Sequence, residues 1–249
     1  MCPIQDVAWD LNSMSDIETI NFVEERYKKT ASHYANKYEL NTNLPNTPCY
    51  VEISDDSKLF FLDHSISNSF LKGKFASRIQ KYQTENLIKK AFGKNISSMS
   101  ILDCTGGLGH DTFILALLGA NVTYVEQNKG LTILFEEALR CLPPTKYFID
   151  AVKRITVRQS DSRAFLEQAE HYDAIYIDPM FNSEKKLARN KTMTFLDMYL
   201  DDHGNELFDL FAAVNYKRLV VKKEGRAVSA RKPDLEIKGK SVKFDVYIK

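Results

Sequence analysis

Two short stretches of the chain hold residue types that could do chemistry. The first is IYIDPMFN (175–182), an apolar run that ends on Asp178-Pro179-Met180-Phe181. A carboxylate at the end of a buried strand is costly unless it is paired or meets a ligand. It can accept a hydrogen bond from an exocyclic amine. The Pro179 carbonyl can accept another, and proline offers no competing N–H. An aromatic ring at Phe181 can stack on a base. These groups together would hold an aromatic amine with its nitrogen aimed at an electrophile. Asp-Pro alone, however, also ends a strand in an ordinary turn.

The second stretch, LDCTGGLGHD (102–111), favours the ligand. Gly106, Gly107 and Gly109 lie between a predicted strand and a predicted helix, where glycine permits a sharp turn and a close approach. Glu126 follows Gly106 by twenty residues and ends the next strand, where a carboxylate grips ribose hydroxyls in doubly wound nucleoside-binding folds. A dinucleotide site would want a third glycine where Thr112 stands, and His110-Asp111 opens the helix instead. An acid at a helix N-terminus repels a pyrophosphate and suits a cation. S-adenosylmethionine carries a sulfonium and an α-amino group, and Asp103 adds a carboxylate on the same side. Asp161-Ser162, after the third strand, would meet an adenine amino group or cap the helix SRAFLEQA.

These residues require elements to hold them. Residues 16–38 read as helical, NTNLPNTP as a linker, and YVEISDD and KLFFLDH as two short strands. Thr84 to Phe92 reads as a helix closed by Gly93. From residue 100 strands alternate with helices: SILDCT, then a helix stopped at Gly119; NVTYVEQN, then LTILFEEALRCL halted by Pro143-Pro144; RITVRQSD, then SRAFLEQA; YDAIYIDP, then a helix within 195–215; RLVVKK; and FDVYI. This order predicts an α/β, Rossmann-like, mostly parallel sheet with helices on both faces. The short link before FDVYI predicts an antiparallel last strand. Residues 1–93 are expected to form an α+β appendage on the substrate side, and 94–249 the main domain.

Composition narrows the classes. A chain of 249 residues with 44% hydrophobic and 27% charged residues is an ordinary globular balance. No apolar run approaches the roughly 18 residues of a membrane helix. Six acids against one base in residues 1–26 exclude a signal or transit peptide. Four scattered cysteines give no zinc or redox spacing, which points to a reducing cytoplasm. Residues 217–249 carry eleven Lys or Arg against four acids, which fits a polyanion partner or a lysine-rich solvated edge. Lys185, Lys186, Arg189 and Lys191 follow the DPMF stretch and are placed for backbone phosphates, as are Lys222 and Lys223 in the basic tail.

DPMF resembles the D-P-P-Y motif of amine-directed nucleic-acid methyltransferases. Together with FFLDH, LDCTGGLGHDTFILALLGANVTYVEQN, YDAIYIDPMFNSEKKLARNK, KRLVVKK and KGKSVKFDVYIK, it is similar to the RsmJ-type family, which methylates a guanosine N2 amine of bacterial small-subunit (16S) ribosomal RNA. The resemblance covers roughly residues 50–249. It implies a class I methyltransferase fold with a seven-stranded sheet, S-adenosylmethionine as cofactor with S-adenosylhomocysteine as product, and ribosomal RNA or a ribosomal subunit as partner. A cytoplasmic monomer is expected. Cofactor contacts would fall on His110-Asp111, Glu126-Gln127, Asp161-Ser162 and Asp178. The chain departs from the family's usual arginine at His110 and its usual basic residue at Gln127. The family's basic segment before the first strand stands here as KGKFASRIQK, with Lys72, Lys74 and Arg78 as RNA contacts. An adenine-N6 or other amine-directed methyltransferase, and a non-catalytic RNA-binding protein on the same scaffold, stay open beside this expectation.

Overall fold

The protein is described here from a computed structural model, over residues 17–42, 47–93, 95–179, 191–200, 204–229 and 231–249. The first sheet comprises β1 (Thr19–Phe22), β2 (Asn41–Thr42), β3 (Cys49–Ile53), β4 (Lys58–Phe61) and β5 (His64–Ser67), in the order β2-β1-β3-β4-β5. Helix α1 (Lys28–Tyr38) connects β1 to β2. The expected single helix over 16–38 is therefore corrected. Its first part is a strand, because Ile20 and Thr19 pair with Val51 and Tyr50 of β3 and are fully buried there. The helical spacing that the fold uses is that of Ala31, Tyr34, Ala35 and Tyr38, and those four residues form the buried face of α1.

Two more helices lead into the second sheet: α2 (Gly73–Gln80) and α3 (Asn86–Phe92). The chain then winds through β6 (Ser100–Asp103), α4 (His110–Leu117), β7 (Asn121–Glu126), α5 (Lys129–Arg140), α6 (Lys146–Lys153), β8 (Ile155–Gln159), a 3-10 segment (Ser162–His171) and β9 (Ala174–Ile177). It continues through α7 (Lys191–Tyr199), α8 (Gly204–Ala213), β10 (Arg218–Glu224), β11 (Leu235–Lys238) and β12 (Val242–Ile248). The strand order is β11-β12-β10-β9-β6-β7-β8. Strands β10, β9, β6, β7 and β8 are parallel, and β12 runs antiparallel to β10, as the short final link predicts.

Beyond α2, sequence reasoning missed three further elements from β6 onward. Pro143-Pro144 ends one helix, but Thr145 starts α6, which buries Phe148 and Ala151. The segment between 191 and 213 holds two helices rather than one. Strand β11 pairs with β12 in the link that reads only as too short for a crossover helix.

Side chains alternate across the parallel strands, as the two-residue period demands. Ala174, Tyr176 and Val220 join Ile88, Phe92 and Phe113 on one face. Ile175, Ile177, Leu219 and Val221 join Phe208 and Phe211 of α8 on the other. Helix α5 serves two cores at once. Its Phe135 and Ala138 pack on the large sheet, while Leu131 and Leu134 pack with Val51, Leu59 and Phe195 under the small one. Among the described residues no helix is long and apolar enough to cross a membrane, and Cys104 and Cys141 are free thiols.

Candidate functional site

The chain runs outward from β6 through β7 to β8, then returns to lay β9 on the other side of β6. A crevice opens beyond the carboxyl ends of strands at such a reversal. Four charged residues arrive there for one reason, the parallel direction of their strands. Asp103 ends β6, Glu126 ends β7, Asp178 follows β9, and Lys222 lies in the outer half of β10. They line one cavity of about 560 Å³ with the 105–111 turn, Gln127, Asp161, Ser162, Arg78, Tyr176 and Pro179. Small-molecule sites span roughly 300–1,000 Å³.

The glycine turn is built differently from the expectation. A Cβ on Gly106 would lie 2.3 Å from the Tyr124 ring, and one on Gly109 would lie 2.1 Å from the Phe135 ring. Both glycines make room for the protein's own aromatic rings, which stack on each other with centroids 4.2 Å apart. Gly109 also has φ +72°, a left-handed conformation that favours glycine. At Gly107 alone the missing Cβ faces open space save for one backbone oxygen at 3.8 Å. The Gly107 N–H donates to Glu126 Oε2 at 2.8 Å, and the Asn128 N–H donates to Oε1 at 2.8 Å. Glu126 is thus preset by two backbone donors, although burial pushes its carboxyl upward. Each of its oxygens keeps a lone pair for a further donor.

A chain of ion pairs crosses the other end of the cavity. Glu85 grips Arg78 with Oε1 and Oε2 at 2.7 and 3.3 Å from the guanidinium. Arg78 Nη1 donates to Asp111 Oδ1 at 2.7 Å. Asp111 Oδ2 accepts from Tyr176 Oη at 2.7 Å and from Lys222 Nζ at 2.8 Å. Lys222 Nζ also donates to Asp178 Oδ2 at 2.6 Å. Among the described residues Asp178 Oδ1 takes no hydrogen bond, while the Asp178 N–H donates to Thr105 Oγ1 at 2.7 Å. Burial opposes ionisation of Asp111, but Lys222 and Arg78 outweigh it and hold Asp111 below the usual carboxylate range. For Asp178 burial prevails and the carboxyl is raised, against the pull of Lys222. Asp103 lies below this chain, accepting from Thr105 N and Thr112 Oγ1, and burial raises it to about 7.

Several expectations need correction. Arg78, Lys222 and Lys223 were expected at RNA phosphates. Arg78 and Lys222 instead neutralise buried acids inside the cavity. Lys223 points to the far face of β10, 3.3 Å from the buried Asp245 and 11% exposed. The physical reason is alternation along β10, which sends neighbouring lysines to opposite faces. Asp161 caps the 3-10 segment through the Arg163 N–H and pairs with the Arg163 guanidinium, which is the capping role that sequence reading left open. Ser162 Oγ donates to the Cys104 carbonyl and ties two strand ends together. Lys72, Lys74 and Lys191 are exposed, Lys72 beside Asp56 at 3.3 Å. Phe181, Lys185, Lys186 and Arg189 lie outside the described residues.

Tyr176, Thr105 and Thr112 were not expected at the site. The sequence did contain a signal for Lys222. RLVV runs into Lys222 as IYI runs into Asp178, and the pairing Val221↔Ile177 makes the two charges neighbours.

His110 stacks on Phe75 with centroids 4.0 Å apart, and its Nε2 is 3.3 Å from Asn68 Oδ1. Burial lowers its pKa from 6.5 to about 4. Between those values the unfolded chain binds a proton that the folded chain refuses, so stability must fall as pH drops through that window. His110→Gln should flatten this part of the pH–stability curve. Urea midpoints at several pH values within it check the point, and parallel curves for variant and parent would refute it.

A family model described as "Putative SAM-dependent methyltransferase" matches residues 34–249. The chain is similar to Ribosomal RNA small subunit methyltransferase J of Francisella tularensis subsp. novicida, with 30% identity over 207 residues, 80% of this chain and 86% of the relative. The protein of the same name from Thioalkalivibrio sulfidiphilus is 31% identical over 193 residues, 74% of this chain and 76% of the relative. Among solved structures, a SAM-dependent methyltransferase from Neisseria gonorrhoeae has a TM-score of 0.68 at 22% identity, over 92% of this chain and 95% of that one, a likeness of fold.

Proposed function

Because the chain belongs to the RsmJ-type family of S-adenosylmethionine-dependent methyltransferases, we propose that it methylates small-subunit ribosomal RNA, and that the acceptor is the exocyclic N2 amine of a guanosine. The observation that carries the acceptor is the end of β9. Asp178 and Pro179 line the same cavity as Glu126, and Asp178 keeps Oδ1 unbonded among the described residues. The cavity fits the cofactor by its chemistry. A preset carboxylate at Glu126 suits a ribose diol, and the acids Asp103, Asp111 and Asp178 suit a cationic methyl donor.

When bound, the cofactor supplies an electrophilic methyl on a positively charged sulfur. The protein's residues do the rest by position. Asp178 Oδ1 accepts a hydrogen bond from the amine and orients the nitrogen lone pair. The same oxygen takes the amine proton as the C–N bond forms and the methyl–sulfur bond breaks to leave a neutral thioether, so the charge developing on nitrogen meets a fixed counter-charge. The Pro179 carbonyl accepts the second amine hydrogen. Phe181 stacks on the base. The target base must leave its stack to reach this depth. Exposed Lys72, Lys74 and Lys191, with Lys185, Lys186 and Arg189, hold the RNA backbone, and the N-terminal sheet lies on the substrate side. The chain acts as a monomer in the cytoplasm.

The direct test is methylation of small-subunit particles from a strain lacking the gene, followed by mass mapping of the modified nucleoside. N2-methylguanosine is the expected product. N6-methyladenosine would replace the proposed acceptor, and no methylation of RNA would remove it.

Glu126 gives a separate check on the cofactor's place. Glu126→Ala should weaken S-adenosylhomocysteine binding by about 1.5–3 kcal/mol, the scale for a charged hydrogen-bond acceptor. Calorimetry measures this directly, and an unchanged dissociation constant would take Glu126 out of the ribose site.

A further inference from the structure

Lys222 has no role in the reading above except as a charge. We propose that it is a positioning residue for methyl transfer: its ammonium, anchored on Asp111, fixes the Asp178 carboxylate so that Oδ1 is left for the target amine. This inference rests on the assignment of Asp178 to that amine.

The geometry is specific. Lys222 Nζ reaches Asp178 Oδ2 at 2.6 Å and Asp111 Oδ2 at 2.8 Å, so one ammonium bridges two carboxylates from different elements. The bridge cannot swing freely, because Asp111 is itself held by Arg78 and Tyr176, and Arg78 by Glu85. The Asp178 backbone is tied to Thr105. A carboxylate with its main chain and one oxygen fixed has a single oxygen left to offer. Lys222 is 22% exposed, and its donors already face two acids, so it is poorly placed to serve a phosphate on the surface.

Charge makes the same bridge necessary. The groups facing Asp178 are Lys222 from β10, Asp111 from α4 with Arg78 of α2 behind it, and the acid Asp103 from β6. Tyr176, on its own strand, stays neutral because burial raises it far above its ordinary value. Without Lys222, Asp178 would face two acids in a buried place with one distant cation. It would take up a proton more readily and lose its fixed orientation. An amine acceptor must be ionised, so the rate would then fall at a higher pH than in the parent.

The test uses the full chain and two measurements. The first needs no RNA. Carbon-13 carboxyl NMR, with Asp178 assigned from the resonance lost in Asp178→Asn, follows its titration in the parent and in Lys222→Met. The midpoint should move up by about a unit or more, the scale for losing a neighbouring opposite charge. An unmoved midpoint overturns the proposal. The second is single-turnover methylation of small-subunit particles at saturating cofactor. Lys222→Met should be at least about ten-fold slower, with its acid limb shifted to higher pH. The double variant Lys222→Met/Asp178→Asn should be no slower than Asp178→Asn alone, since residues acting through one another are not additive. Fully additive losses would mean that Lys222 acts by itself, and would also overturn the proposal. A parent-like rate for Asp178→Asn sinks the assignment of Asp178, and the role proposed for Lys222 with it, whereas an unmoved midpoint beside a slow Asp178→Asn overturns the role of Lys222 alone. If Lys222→Met does not fold, Lys222→Gln removes the charge and keeps a donor. The same titration shift is expected of it, and an unmoved midpoint there overturns the proposal equally.

Discussion

Asp178→Ala should slow single-turnover methyl transfer by about 10²–10³, the scale for removing one preorganised polar contact to a developing charge. The structure sharpens this expectation. Asp178 sits at the mouth of the strand reversal with its N–H on Thr105, one oxygen on Lys222 and the other oxygen unbonded among the described residues. Removing the carboxylate leaves the Lys222 ammonium facing the amine, which repels the charge that develops on nitrogen. The loss should therefore appear in the chemical step. RNA affinity should change little, because phosphate contacts dominate it. The measurement is a rapid-quench time course at saturating cofactor on small-subunit particles. A parent rate there would make Asp178 a plain strand terminator.

Asp111→Ala should produce the largest loss of stability, about 3–5 kcal/mol, the cost of breaking a buried ion pair by removing one partner. Asp111 is 9% exposed and answers three donors at once, from Arg78, Lys222 and Tyr176. Its removal takes one carboxylate each from Arg78 and Lys222, which keep Glu85 and Asp178, and leaves the buried Tyr176 hydroxyl without its acceptor. Asp111→Asn keeps an acceptor without the charge and should lose less. Urea unfolding at neutral pH distinguishes them. If Asp111→Ala costs less than about 1 kcal/mol, Glu85 and Asp178 alone suffice to hold Arg78 and Lys222. The cost should also shrink at low pH. The carboxylate's stabilisation is present above the unfolded value of 3.8 and is lost as pH falls through the lowered folded value.

The sequence by itself determined the large sheet and the identity of most cavity acids. Apolar runs such as SILD and AIYI, alternating with helical segments, predict buried parallel strands, and parallel strands bring Asp103, Glu126 and Asp178 to one edge. That inference needs only strand direction, which the alternation of strands and helices along the chain specifies. It could not decide whether residues 17–22 are helix or strand. Ile17 and Ile20 stand three apart, a spacing a helix also shows, and β1 is a strand because β3, some thirty residues later, offers a partner. The same holds for β11, which pairs only because β12 is already seated on β10. Charge partnership was equally invisible. Arg78, Lys222 and Lys223 all read as a basic surface, yet alternation turns Lys223 to one face and Lys222 to the other. The packing of α2 then carries Arg78 onto Asp111. A basic residue shows its charge in the sequence. Which acid it meets, or whether it meets water, depends on the face it occupies and on what the fold packs against that face.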